Sequence, residues 1–544
     1  MKKVLIIGSG ISGLTAAIEC AENGIKAVVV SPYPSERAQS VMAAGGINAA
    51  ASDGAEPDSI ECHVADTIKS GKNLSGTKSV TGLCSDAPDI INWLESLGVV
   101  FTRDKNGIIT RRAFGGQTYK RTAFSGSSTG KQIMTALIQK TRQYECEGLV
   151  ERKLGLTFHS ALIKDNQCCG AMFFNEIKKD YEAIFADFVI AATGGQNSLF
   201  GKTTGSSLCD GYATGKLFLQ GAALKNPEFV QYHPTSIETA QKRMLISEAA
   251  RGEGGRLYYL DGDKRVYFME DKFGEKGNLM PRDVVSKCEY DVGKQVYLDV
   301  AFLGEKVIKE RLSEIYELCM TYLNLDITKE SIPVAPSVHF FMGGLAVDVN
   351  HRTSVENLYA VGECASMYHG ANRLGGNSLL AAVHSARVAA ADISKRDVQN
   401  SSADFSEYIE EQCLALNTKL KGKSQFSSVY LMKNLAEVMN DDMGITRNEE
   451  KLQRGIESID YYLSIIGKLK FDVSISAYQG SSLEAIFTLA RAILTCAASR
   501  KETRGSHIRE DYPNQDDRYS ACTLVYYNDG KYDISYKEED EICW

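Results

Sequence analysis

Three glycines near the start of the chain have the spacing of a phosphate-binding turn, Gly8-x-Gly10-x-x-Gly13. In such a run the first glycine makes a tight turn and the second lets the backbone approach a pyrophosphate. The third lets a helix pack closely on a strand, and the helix N-terminus offers its N–H groups to the phosphates. This chemistry needs a strand before the glycines and a helix after them. Val4–Ile7 is a short apolar run suited to a buried parallel strand, and residues 11–23 carry Leu14, Ala17 and Ile18 on one helical face. Ala27–Val30 is a second buried strand, which completes a βαβ unit. The second strand of a nicotinamide-binding unit usually ends in an acidic residue for the ribose hydroxyls. Ser31 stands there instead. The glycines therefore imply a dinucleotide without choosing which.

The chain has 14 cysteines, but they are scattered, and the one close pair is Cys168–Cys169. Adjacent thiols chelate metals poorly, and there is no C-x-x-C, haem-attachment or ferredoxin-like run. Reduced thiols are expected, with no iron–sulfur cluster or c-type haem held by this chain. A length of 544 residues calls for several domains, and 44% hydrophobic with 24% charged residues fits a globular protein. A net charge of -8 and the lack of a Lys/Arg block argue against nucleic acid as a partner. No window approaches about 18 uninterrupted apolar residues, and no A-x-A-like cleavage site follows the opening MKKVLII. The expectation is a cytoplasmic chain that does not itself enter a membrane.

Farther along the chain, helical patterns fall near 58–70, 86–97 and 130–144, and an irregular stretch near 32–55. Strand–glycine signals recur at 188–195 (FVIAATGG) and 358–363 (LYAVGE), the latter leading into a Gly-rich run at 370–376. Buried strands ending in glycines so far apart predict one nucleotide domain, 1–225 and 337–395, interrupted by a more polar insertion at 226–336. Charged helical patterns occupy 396–499. A small C-terminal domain, 500–544, contains a hairpin signal at Asn528-Asp529-Gly530.

Eight further segments carry a family resemblance. They are SVMAAGGIN (40–48), FGGQ (114–117), QYHPT (231–235), SEAARGEGG (247–255), MPRDVV (280–285), HFFMGG (339–344), HGANRLGGNSLL (369–380) and RGSHIRED (504–511). In this order the chain resembles the flavoprotein subunit of succinate dehydrogenase and fumarate reductase, in which serine commonly occupies the position of Ser31. The resemblance implies an α/β fold: a Rossmann-like FAD-binding domain interrupted by an α+β capping domain, then a helical domain and a small C-terminal domain. It assigns FAD to Gly8, Gly10, Ser12, Gly13, Ser31, Gln39, Ser40, Ala44, Gly45, Gly46, Ala192, Thr193, Gly194, Asp210, Glu363, Arg373, Ser378 and Leu379.

The resemblance also implies a small dicarboxylate substrate. His339 and Arg373 would hold one carboxylate, and His233 and Ser247 the other, with Phe114 and Gln117 closing the pocket. Arg282 would donate a proton to carbon, with Glu248 and Arg251 as its relay, while hydride passes from flavin N5 to the other alkene carbon. Arginine suits bidentate carboxylate capture. As an acid it needs neighbouring cations and a carboxylate that resupplies its proton. A Thr235 hydroxyl is a further candidate beside Ser247. His63, His159, His351 and His384 carry no motif and receive no role. Arg504 and His507 match a family segment without entering the catalytic set.

The chain departs from the family at two places. Most members attach FAD covalently through a histidine whose position is Gln39 here, so FAD is expected to be non-covalent, which favours reduction of fumarate over oxidation of succinate. Where the family often has glutamine, this chain has Ala44. L-Aspartate oxidase, a close relative, also lacks the covalent histidine. Its family places an acidic residue for the substrate ammonium in a loop that corresponds to Arg112–Thr122, which has no Asp or Glu. Three rival readings stand beside fumarate reduction: aspartate oxidation, reduction of another α,β-unsaturated acid, and a non-enzymatic flavin electron-transfer protein. Electrons would come from an iron–sulfur subunit or a soluble donor, and such partners could hold the chain at the inner face of a membrane.

Overall fold

The computed structural model describes all residues except 52–56, 127, 241, 399–403, 420–426 and 467–476. The opening apolar run forms strand β1 (Lys3–Ile7), followed by helix α1 (Ile11–Glu22) and strand β2 (Lys26–Ser31). Five parallel strands make the sheet, in the order 358–360, 188–191, β1, β2, 150–154. The strands are apolar at successive positions because both faces are covered. Helix α1 packs against the helices Thr129–Cys146 and Asn377–Lys395, and an antiparallel three-stranded sheet over 156–185 lies against Lys26–Ser31 and Phe188–Ala191. Since the strands are parallel, the glycine-bearing loops after β1, 188–191 and 358–360 all emerge at one edge, where ligands of such sheets bind.

The insertion forms a six-stranded antiparallel sheet in the order 243–245, 230–238, 332–341, 296–299, 256–261, 264–266. Although more polar than its surroundings, it holds its own apolar core, with Ile237, Ile246, Val285, Leu298 and Val334 buried together. The strand Ile332–Phe341 runs across the expected boundary at 336. It pairs along its length with strands of the insertion, and its C-terminal end carries His339 and Phe340 to the cavity.

The helix expected near 86 begins at Thr77 and contains Pro88. Its apolar stripe starts earlier than the pattern suggested, because Val80, Leu83, Cys84 and Ala87 are all fully buried. In the helical region, Ser482–Ser499 is long and apolar enough to cross a membrane, but 78% of it is buried within the fold. It packs on the helices Glu449–Ile466 and Tyr212–Leu219, so its apolar character is accounted for by the core. The hairpin forms as read. Cys522–Asn528 pairs with Lys531–Lys537 through Asp529 (φ 47°) and Gly530 (φ 84°), the left-handed pair that a two-residue turn requires. The first hairpin strand joins Leu224–Lys225, and through it Gly344–Ala346, so the C-terminus grips both flanks of the insertion. All 14 cysteines are free thiols, and among the described residues no cluster of His, Cys, Asp or Glu could hold a metal.

Candidate active site

A cavity of about 390 Å³ begins at the glycine turn and runs to the face of the insertion. Its backbone is shaped for close approach. Gly8 has φ 112°, and a Cβ there would sit 2.2 Å from the Ala192 carbonyl oxygen. A Cβ on Gly13 would sit 2.0 Å from the Gly8 carbonyl oxygen, so this glycine lets α1 close on the turn. Gly10 caps α1 without a side-chain bond, leaving the helix end facing the cavity. These are features that a pyrophosphate needs.

Of the residues assigned to FAD from the sequence, all but Gly13 line this cavity; Gly13 packs behind the turn. Ser31 Oγ donates to the Tyr33 carbonyl (2.8 Å). Gln39 opens the short helix Gln39–Met42 and lines the cavity wall. Glu363 accepts from the Phe341 amide (3.1 Å). Burial pushes its carboxyl up to about 7, against the pull of that bond and of Arg373. The residues present thus fit an FAD.

At the far end, side chains from both sheets converge. Glu248 opens the turn Ala249–Gly252, and Arg282 opens the helix Arg282–Val292. Arg282 Nε and Nη2 donate to Glu248 Oε2 at 2.9 and 2.6 Å. Arg251 Nη2 lies 3.3 Å from Glu248 Oε1, which also accepts from the Gly115 amide at 2.8 Å. The three groups form a buried Arg–Glu–Arg chain. Burial acts to raise Glu248, but Arg282 and Arg251 outweigh it and hold the carboxyl down at about 2. The two guanidiniums thus favour its ionised form. Burial lowers Arg251, with Glu248 opposing.

His233 and His339 face each other with ring centroids 5.1 Å apart. Both are pushed well below the usual imidazole range, first by burial and then by Arg282. They serve as neutral hydrogen-bonding groups, leaving the arginines as the cations. His233 Nδ1 accepts from the Thr235 amide (3.2 Å), and His339 Nδ1 lies 2.9 Å from Thr204 Oγ1. Arg373 stacks over Phe340 at 4.3 Å and is lowered well below its ordinary value, first by burial and then by Arg282. Its Nε has no hydrogen-bond partner among the described residues.

Phe114, His233, Ser247, Glu248, Arg282, His339 and Arg373 line the cavity. Gln117 does not, and its expected contact with substrate is corrected. Its amide is spent on structure, accepting from the Phe114 amide (3.0 Å) and donating to Asn48 Oδ1 (2.9 Å) and the Gly375 carbonyl (3.0 Å). It fixes the turn that presents Phe114. Thr235 also turns away, donating to the Ile246 carbonyl (2.8 Å). Arg251 lies behind Glu248, as a relay would. His507 is fully buried, 3.0 Å from the Arg500 carbonyl oxygen through Nε2, and Arg504 is paired with Glu502 (2.7 Å), so both serve packing.

Sequence reasoning overlooked Gln231. Its Oε1 accepts from Arg282 Nη1 (3.1 Å) and Arg373 Nη2 (3.0 Å), so one neutral amide aligns two guanidiniums. Its Nε2 is fixed on Asn372 Oδ1 and the Arg373 carbonyl, both at 2.8 Å. Position within the QYHPT segment was the available signal. His351 and Tyr368, bonded to each other at 2.5 Å, also reach the cavity wall without any motif to mark them.

Residues 3–379 match the FAD binding domain family, and 432–541 match the fumarate reductase flavoprotein C-terminal family. The chain is 35% identical to the succinate dehydrogenase flavoprotein subunit of Bacillus subtilis, covering 96% of this chain and 93% of that one. It is 33% identical to a fumarate reductase (CoM/CoB) subunit of Methanothermobacter marburgensis, covering 96% of each. Among solved structures, a point mutant of FrdA from the E. coli quinol fumarate reductase superposes with a TM-score of 0.90 at 29% identity, covering 100% and 98%. Adenylylsulfate reductase of Archaeoglobus fulgidus shares the fold alone, with a TM-score of 0.79 at 18% identity.

Proposed function

Because the chain belongs to the succinate dehydrogenase/fumarate reductase flavoprotein family, an FAD-binding oxidoreductase family, we propose that it reduces fumarate to succinate. The observation that carries this reading is the Arg282–Glu248–Arg251 chain, which ends on the cavity between two carboxylate-binding groups. His339 and Arg373 bind one carboxylate, the cation by charge and the neutral imidazole by hydrogen bonding. His233 and Ser247 bind the other. The Gln231 amide keeps Arg282 and Arg373 in register. Phe114 covers the alkene and excludes water.

When bound, FAD supplies a hydride to one alkene carbon. Arg282 gives a guanidinium proton to the other and regains it through Glu248 from Arg251. The ionised Glu248 is a transient carrier, its negative charge keeping both arginines in place. The loop Arg112–Thr122 carries no Asp or Glu to meet a substrate ammonium, which speaks against an amino acid as substrate. Gln39 cannot form a histidyl–flavin bond, so FAD is bound by contacts alone and is tuned toward reduction of the substrate. Electrons reach it from an iron–sulfur subunit or a soluble donor, and such a partner would place the chain at the inner face of a membrane.

Dye-linked turnover of the purified holoprotein with fumarate, succinate and aspartate tests the reading. Fumarate should turn over with a reduced dye, faster than succinate with an oxidised one. Aspartate oxidation by O2 with no fumarate turnover would refute it.

A further inference from the structure

Glu289 lies on the helix Arg282–Val292, seven residues beyond Arg282, and only 4% of it is exposed. Among the described residues, neither of its carboxyl oxygens has a hydrogen-bond partner. Buried carboxyl groups are almost always bonded, because the loss of water is otherwise uncompensated. Arg251 has the complementary deficiency. It is 1% exposed, and among the described residues its Nε has no partner and its Nη2 makes only the 3.3 Å ion-pair contact with Glu248. Arg251 and Glu289 lie close enough for the charge of each to oppose the effect of burial on the other, although no hydrogen bond joins them among the described residues.

The elements packed on this helix carry other ionisable groups. These are Tyr232, His233 and Glu238 on the strand Val230–Glu238, and His339 on Ile332–Phe341. Phe268–Phe273 adds Glu270, Asp271 and Lys272. Glu270 is engaged by Arg256, and Lys272 Nζ is 3.6 Å from Cys288 Sγ. Among the described residues, Arg251 supplies the charge that counters the burial of Glu289.

We propose that Glu289 is the proton-holding group that reloads the Arg282–Glu248–Arg251 chain from the solvent side. This rests on the reaction argued above. Seven helical residues span about 10 Å, so the path leaves Arg282, passes through Glu248 and Arg251, and returns to the same helix farther along it. The next residue, Tyr290, is 47% exposed. Each turnover removes one N–H proton from Arg282. Arg282 recovers it from Glu248, Glu248 from Arg251, Arg251 from the Glu289 carboxyl through an intervening water, since no hydrogen bond joins the two groups among the described residues, and Glu289 from bulk water. Only protons move along this chain, and the charge of every member is restored.

Burial holds the Glu289 carboxyl well above the ordinary carboxylate range, with Arg251 opposing. The group is thus loaded at acid pH and empties as pH rises through its raised value, so kcat should fall on that alkaline side. Glu289→Gln should lower kcat for fumarate about tenfold or more, leave KM unchanged and abolish that pH limb. Glu289→Leu should do the same without lowering Tm, because it removes an unbonded buried carboxyl. A wild-type kcat and pH profile in Glu289→Gln would overturn the inference. So would a joint loss of kcat and Tm in both variants, which marks a packing role.

Infrared difference spectra of the oxidised holoprotein read the proton without turnover. A protonated-carboxyl band should disappear in Glu289→Gln and shift in Arg251→Lys. If that band is absent, or indifferent to Arg251, the inference fails even where fumarate reduction stands. If fumarate is not turned over by the wild type, the proposed function fails and the infrared result still decides this one.

Discussion

At the scale of single residues, what each side chain is bonded to decides its role. Gln39 presents an amide to the cavity wall, and an amide cannot form a histidyl–flavin bond, which is the basis for proposing that the flavin is held by contacts alone. Protein denatured by acid or heat should release all of its flavin to the supernatant; yellow colour retained in the precipitate would contradict this. The convergence of His233, Ser247, Glu248, Arg282, His339 and Arg373 on one cavity was legible because each lies in a distinctive segment; the catalytic and carboxylate-binding roles given to them are proposals. Gln231 was not, since an amide acquires its role from two guanidiniums that arrive from distant segments. Gln117 shared its segment with Phe114, and nothing in its type distinguished a substrate contact from a turn that holds its neighbour. Glu289 gave no signal at all. A glutamate on a polar-looking helix reads as solvent-exposed until its burial is known.

At the scale of elements, β1, α1 and β2 form as read because strand periodicity and glycine spacing are local properties. The start of the helix at Thr77 was missed because its apolar stripe depends on partners distant in sequence. The glycine turn is the element on which FAD binding depends most. A Cβ at Gly13 would lie 2.0 Å from a backbone oxygen rather than a movable side chain, so the helix cannot close on the turn. Gly13→Ala should give protein with little bound flavin, read as the ratio of flavin to protein absorbance. Flavin content equal to the wild type would show that this packing is not needed.

At the scale of the whole molecule, the site is assembled from parts that neither domain holds alone. The glycine loops of the parallel sheet supply one wall and the insertion supplies His233, Ser247, Glu248 and Arg282. The strand Ile332–Phe341 and the loop carrying Arg373 join them. The interrupted domain was legible from three widely spaced strand–glycine signals. The grip of the C-terminal hairpin on both flanks of the insertion was not, because strand pairing over some 300 residues leaves no local pattern. The most direct test of the central claim is a single turnover. The holoprotein is reduced, mixed anaerobically with fumarate, and followed by flavin absorbance, alongside Arg282→Gln. The wild type should reoxidise as succinate forms, and Arg282→Gln should bind fumarate yet reoxidise about 10²- to 10⁴-fold more slowly. Reoxidation by Arg282→Gln at the wild-type rate would contradict a proton delivered by Arg282.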